Sequence, residues 1–216
     1  VKNIIILIFG WLLGLLAPAI VNAIRDQREA NAVKTALRSE LQESQYRLLL
    51  VVYRIESKFG TLDKDFFKWA QSFINEYKGI NSKETLVKGL GQLLKLDNAE
   101  VVALDEYTKQ QQKPNSGLEL KKHSLPLLEA NMLLLAKFNP ILRGQLLEIK
   151  THAGFMNEIV DDARYYFRLS FQSDISLENY KIANTNMINS YKTYVVQAKV
   201  IIRVIGEILS KNKFLK

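Results

Sequence analysis

The chain has 216 residues, a formal net charge of +8 and no cysteine, so disulfide bonds and thiolate chemistry are excluded. This length allows one sizeable hydrophobic core. The excess of basic residues is typical of ordinary solubility charge on helix surfaces, with attraction to an anionic leaflet or to nucleic acid as alternatives. No phosphate-binding glycine loop, dinucleotide-binding glycine pattern or nucleophile elbow occurs in the sequence. No cofactor and no catalytic centre are therefore predicted.

The first feature in chain order is an apolar run from Ile4 to Ile24, which carries no charge and only one strongly polar residue, Asn22. A helix needs about 20 predominantly apolar residues to cross the hydrocarbon core of a bilayer. The run therefore predicts a transmembrane helix over residues 4–24, with residues 1–3 as a short external N-terminus.

The flanking charges predict the orientation of this helix. Only Lys2 precedes the run, whereas several basic residues follow it, namely Arg25, Arg28, Lys34 and Arg38. Basic flanks tend to stay in the cytoplasm. We therefore expect a single-pass protein of the inner membrane, with its N-terminus outside, a polar stalk over residues 25–32, and a cytoplasmic domain over residues 33–216.

Two alternatives share the same apolar run. Small residues around Ala23 also fit a signal-peptide cleavage site, which would give a secreted or periplasmic protein. Gly10 and Gly14 form a G-x-x-x-G pair, which allows two helix backbones to approach closely. That pair favours a second alternative, a membrane effector or pore-type protein that oligomerises through its transmembrane helix.

The remainder of the chain has the apolar spacing of helices and no strand pattern. The stretch after the stalk carries Val33, Leu37, Leu41, Leu48, Val52, Ile55 and Phe59 at helical intervals and ends at Gly60. A subregion of short helices is predicted over residues 61–137. Its N-caps are Thr61 or Asp63, then Ser82, the capping box Asp97 with Glu100, and Ser124 before Pro126. An exposed loop is predicted from Lys109 to Gly117.

Two further long helices complete the predicted fold. Asn139 followed by Pro140 is a typical helix start, and a helix is expected over residues 140–172. The last helix is expected over residues 176–210, and together with residues 25–59 these form the framework. The predicted fold class is all-α, a transmembrane helix that continues into a bundle of three long and about four short helices. In plan, this layout resembles small bacterial single-span proteins with a helical cytoplasmic part.

Few side chains suggest chemistry. Of the two histidines, His152 lies one turn from Glu148, but a zinc site needs more ligands than this pair, so no metal site is predicted. Glu158, Asp161 and Asp162 form an acidic cluster that could do acid–base work. A pairing of Asp161 with Arg164, three residues further on, instead favours a solvated helix face.

Nucleic acid is not a predicted partner, because the basic and aromatic residues from Arg164 to Arg168 would point all round a helix and form no single face. Asn157, Asn184, Asn186 and Asn189 are expected to fix helix register or to lie on the surface. The sequence thus predicts a membrane-anchored helical interaction or scaffold module without catalysis. Its expected partners are the lipid bilayer, a second copy of the chain, and a cytoplasmic protein.

Overall fold

A computed structural model describes the backbone of residues 2–77, 84–111 and 117–210. Within these ranges, side chains are described except at residues 2–10, 12, 13 and 85. The fold of the described residues is all-helical and contains no strand, which confirms the predicted all-α class. The predicted N-cap Ser82 and most of the predicted loop after Gln111 lie outside the described residues.

Three long helices and four shorter ones occur in the described part of the chain, together with one short 3₁₀ helix. Their bounds are α1 Lys2–Phe59, α2 Lys64–Glu76, α3 Glu84–Leu93, α4 Asn98–Gln110, α5 Pro126–Ala130, the 3₁₀ helix Met132–Lys137, α6 Pro140–Leu169 and α7 Leu177–Ser210.

The predicted caps explain where several helices begin. Asp97 and Glu100 form a complete capping box at α4, with distances of 2.8 and 2.7 Å between each carboxylate and the backbone nitrogen of the other residue. Asn139 accepts a hydrogen bond from the backbone nitrogen of Leu142 at 2.8 Å, so α6 begins as predicted. At α2 the cap is Asp63, which decides between the two predicted residues.

The three long helices form the frame of the molecule, and α7 runs antiparallel to α1. Gln45 of α1 donates to the carbonyl oxygen of Ile202 at 2.9 Å. Further along α1, the ring of Phe59 stacks on Tyr191 with centroids 5.1 Å apart. Helix α6 returns along α7, and His152 contacts Gln197 at 2.6 Å. The core lies between these helices, and its fully buried α1 members are Leu37, Leu41, Leu48, Val52 and Ile55.

Helix α1 divides into two parts that differ in burial. Every side chain from 14 to 29 is exposed, and the first buried residue is Ala30, inside the predicted stalk. We name Trp11 together with residues 14–29 the exposed part of α1, and residues 30–59 its packed part. Among the residues that the structure describes in full, no helix has the length and apolarity that crossing a bilayer demands. Much of the predicted membrane segment, residues 4–10, 12 and 13, has its side chains outside those residues.

Candidate functional site

A groove of about 760 Å³ lies between the packed part of α1 and an irregular segment, residues 117–125. A volume of this size is typical of ligand sites. We call it the central groove. On α1 it is lined by Glu40, Glu43, Ser44, Arg47, Leu48, Val51, Arg54 and Ile55, and opposite them by residues 118–126 and Tyr194.

The irregular segment is held from behind by three side chains of α6 and α7. The Tyr191 hydroxyl accepts from the backbone nitrogen of Leu118 at 3.0 Å and donates to the carbonyl oxygen of the same residue at 2.9 Å. Arg164 donates to the Leu120 carbonyl oxygen at 3.0 Å. A segment outside a helix needs such partners, because buried backbone polar groups are costly when they lack a hydrogen bond. These bonds fix one wall of the groove.

Asn157 completes this support through its side-chain amide. Its oxygen accepts from the backbone nitrogen of His123 at 2.7 Å, and its nitrogen donates to the His123 carbonyl oxygen at 2.9 Å. The amide therefore satisfies both backbone groups of one residue. Asn157 was expected to fix helix register or to lie on the surface, but it connects α6 to the irregular segment and not to another helix.

His123 connects the two walls of the groove. Its Nε2 lies 2.7 Å from the hydroxyl oxygen of Ser44, which is buried in α1. Burial, with a smaller contribution from the positive charge of Arg47, lowers the pKa of His123 to about 4. The imidazole is therefore neutral at neutral pH, and it holds α1 to the irregular segment through a neutral hydrogen bond.

Ser44 beside His123 has the residue types of a nucleophile and its general base. In catalytic triads a third group orients the histidine through its other nitrogen. Along the described residues, no hydrogen bond reaches Nδ1 of His123. A base with a pKa of about 4 also takes up a proton poorly at neutral pH. The contact therefore acts as a structural connection between the two walls.

The two acidic residues that α1 contributes to the groove are engaged by its walls, whereas Glu119 of the irregular segment is exposed. Glu40 accepts from the backbone nitrogens of Leu127 and Leu128 at 2.7 and 2.9 Å and so caps the start of α5. Glu43 forms an ion pair with Arg47 at 3.0 Å and accepts a hydrogen bond from the Tyr77 hydroxyl at 2.7 Å. These carboxylates position the walls and are not free to hold a cation.

Two basic side chains at the rim remain available. Lys122 forms an ion pair with Asp161 at 2.6 Å. Arg54 and Lys121, by contrast, have no ion pair with any residue that the structure describes, and both are exposed. The groove therefore combines a mixed polar and apolar lining with two unpaired positive charges.

The acidic residues of α6 lie on an exposed face, as predicted, but one ion pair differs from the expected one. The expected pairing of Asp161 with Arg164 is wrong, because Asp161 pairs with Lys122 and Arg164 donates to Leu120. Both side chains bind partners in the irregular segment instead of each other. Glu158 and Asp162 are exposed.

Neither histidine is placed among metal ligands. Nδ1 of His152 contacts the side-chain oxygen of Gln197 at 2.6 Å, while Glu148 is exposed on the same helix. No three acidic or histidine side chains with the arrangement of a metal site occur in the described ranges.

The residues predicted to act at the membrane lie on or near the exposed part of α1. Gly14 is exposed, and an added Cβ atom there would meet nothing within 4 Å, whereas the surroundings of Gly10 lie outside the described residues. Arg25 and Arg28 are exposed as well. In the packed part, Lys34 lies 5.6 Å from the ring of Phe138, and Arg38 is half-buried.

Ser44, Arg54 and Tyr191 were not predicted as site residues. A signal was available for Ser44, because Gln42, Ser44 and Gln45 are polar residues between the core positions Leu41 and Leu48, and all three are buried. Buried polar side chains require partners, so they indicate contacts with other elements.

A comparison of the chain with protein-family models, with curated proteins and with solved structures finds no match.

Proposed function

We propose that this protein is a membrane-tethered helical binding module, anchored by Ile4 to Ile24, which presents the central groove on the cytoplasmic side of the inner membrane. The observation that supports the proposal is the exposure of apolar side chains along a part of α1 that no other helix of the described chain covers. Trp11 is 67% exposed, and Leu15, Leu16 and Val21 are at least half exposed.

Exposure of this kind is unfavourable in water. Burying a large apolar side chain is worth about 1.5–3 kcal/mol, so a continuous run of exposed ones calls for an apolar surrounding. A bilayer supplies it without any protein partner, and the sequence of the run carries no charge. The basic residues Arg25 and Arg28 then stand at the cytoplasmic surface.

The anchor would set the distance at which the groove operates. The α1 residues that line the central groove extend from Glu40 to Ile55. At about 1.5 Å per residue, they lie about 24–46 Å beyond Ile24 along the helix axis. That distance places the groove clear of the headgroups. Its unpaired Arg54 and Lys121 are then accessible to a cytoplasmic partner or ligand.

Topology and processing test the anchor together. A reporter pair active on opposite sides of the membrane is fused to the C-terminus, and the intact mass of the membrane-fraction protein is measured. We expect a cytoplasmic C-terminus and an uncleaved chain. An exported C-terminus with mass lost up to Ala23 would replace the proposal with the secreted alternative.

A charge variant sharpens this test. Two lysines near the centre of the run, Leu15→Lys with Leu16→Lys, each cost about 2.5–3.5 kcal/mol for insertion, so carbonate-resistant membrane retention should fall steeply. The matched control is Val196→Lys with Ile182→Lys, which introduces the same charge at two exposed apolar residues of α7. Equal retention of both variants would contradict an anchor in this run.

The groove is tested by photo-crosslinking in cells. A photoreactive amino acid replaces Arg54, at the rim of the groove, or Tyr165, an exposed residue of α6 that does not line it. We expect a discrete adduct from position 54 that is missing at position 165. The same adducts from both positions would remove the groove from the proposal.

A further inference from the structure

We propose that the end of the bundle next to the exposed part of α1 binds the anionic headgroups of the bilayer, so that the bundle stands on the membrane surface. We call this region the proximal end; it comprises residues 25–34, the 3₁₀ helix and the start of α6. The inference rests on the proposed anchor and adds to it a second contact and a lipid class.

The depth of the proximal end follows from one ion pair. Nζ of Lys137 lies 3.3 Å from Oδ1 of Asp26. Asp26 follows Ile24, the last residue of the apolar run, by about 3 Å along the helix axis. If the run spans the hydrocarbon core, Lys137 therefore lies at the level of the headgroups.

The chain approaches the membrane on its way to Lys137. The backbone nitrogen of Leu128 is bonded to Glu40, which stands about 24 Å beyond Ile24 on α1. From Leu128 the chain continues through the 3₁₀ helix toward the exposed part of α1 and reaches Lys137 and Phe138. The ring of Phe138 contacts Lys34. The turn into α6 is therefore the part of the bundle, outside α1, that comes close to the bilayer.

The charges of the proximal end suit an anionic surface. Its basic residues are Arg25, Arg28, Lys34, Lys137 and Arg143, and its acidic residues are Asp26 and Glu29. Asp26 is already paired with Lys137. A basic residue close to an anionic leaflet contributes about 1 kcal/mol of attraction.

Two apolar side chains stand among these charges. Leu133 is 93% exposed, the highest value among the large apolar residues whose exposure is described, and Ile141 is 61% exposed. Leucine beside basic residues is the composition of surfaces that lie in the membrane interface. Insertion of Leu133 between the headgroups would remove its contact with water, which explains an exposure that the bundle itself does not relieve.

The absence of cysteine makes a direct test simple, because single cysteines can be labelled throughout the chain. The full chain is reconstituted into vesicles of phosphatidylcholine, with or without added phosphatidylglycerol. An environment-sensitive fluorophore is attached at Leu133→Cys. The controls are Leu15→Cys, in the proposed anchor, and Phe171→Cys, which is 70% exposed at the opposite end of α6.

We expect the label at position 133 to shift to shorter wavelength only with phosphatidylglycerol, to return in high salt, and to lose most of the shift in the double variant Lys34→Glu, Arg143→Glu. The label at position 171 should report water in every vesicle. A position 133 label that reports water in both vesicle types, while position 15 reports lipid, would overturn this inference and leave the anchor intact. A position 15 label in water would overturn the anchor itself. A shift at position 133 without phosphatidylglycerol would overturn the requirement for anionic lipid.

Discussion

The exposed and packed parts of α1 belong to one uninterrupted helix, yet their surroundings are opposite. The exposed part contains the more apolar sequence, yet none of its described side chains is buried, whereas the packed part carries buried residues from Ala30 to Ile55. Apolar composition therefore does not decide which part of a helix joins the core. The lengths of the helices that pack against α1 determine which part of it is buried.

The lengths make this concrete. Helix α1 has 58 residues and α7 has 34, which correspond to about 87 and 51 Å. Tyr191, which lies inside α7, stacks on Phe59 at the end of α1, and α7 ends before it can cover residues 14–29. The surplus length of α1 is the part that the proposed function assigns to the bilayer.

The largest expected effect contrasts the same substitution in both parts of α1. Leu41→Ala removes a side chain with no exposed surface, and the free energy of unfolding of the bundle should fall by about 2–5 kcal/mol. Leu16→Ala, at a residue that is 50% exposed, should leave it unchanged within about 0.5 kcal/mol. Both are measured by chemical denaturation of the full chain in detergent. Similar losses would mean that the exposed part packs on the bundle after all.

A second expected effect concerns pH and the contact of the packed part with the irregular segment. The pKa of His123 is about 4 when folded and 6.5 when unfolded, so the unfolded chain binds the proton first. The contribution of His123 to the free energy of unfolding is therefore complete above pH 6.5. It is lost as the pH falls to 4, by about 3 kcal/mol in all. The measurement is the free energy of unfolding against pH, compared with His123→Gln. Parallel curves for the two proteins would show that His123 titrates normally.

A smaller effect is expected where the packed part of α1 ends. Tyr191→Phe keeps the ring that stacks on Phe59 but removes the hydroxyl that bonds both backbone groups of Leu118. Leaving buried polar groups without partners costs about 1–3 kcal/mol. Hydrogen exchange should also quicken at the Leu118 amide, and Tyr165→Phe, at an exposed tyrosine, is the control. Unchanged exchange at Leu118 would contradict the described support of the segment.

The smallest effect again compares the two parts, now through glycine. A Cβ atom at Gly206 would lie 2.7 Å from Phe73 and 3.4 Å from Gln45, whereas one at Gly14 meets nothing within 4 Å. The crowding in Gly206→Ala exceeds the gain in helix propensity, so we expect a net loss of about 1 kcal/mol. Gly14→Ala should not change the unfolding midpoint of the bundle. A stabilising Gly206→Ala would mean that Phe73 moves aside at no cost.

The helices and their starts were predictable because their causes are local. The capping box at Asp97 and the start at Asn139 with Pro140 depend on residues within one turn, and both are confirmed. The end of α6 is less well predicted, since the helix stops at Leu169 before the expected boundary near 172. Helix ends are set by a balance of weak terms, and a few residues shift it easily.

The central groove was not predictable, because its partners are far apart in sequence. Ser44 and His123 are 79 residues apart, and Leu118 and Tyr191 are 73 apart. The same reason explains the wrong pairing of Asp161 with Arg164. Both residues have partners in the irregular segment, whose path no local pattern specifies.

The sequence by itself determined the helical class, the apolar spacing of the packed part of α1, and the uncharged run that precedes it. These follow from periodicity and composition, which act over a few residues. Only the tertiary structure decided that α7 stops short of that run, that His123 meets Ser44, and that Lys137 reaches Asp26. Such contacts depend on helix lengths and packing over the whole bundle, so they appear only when the chain is folded.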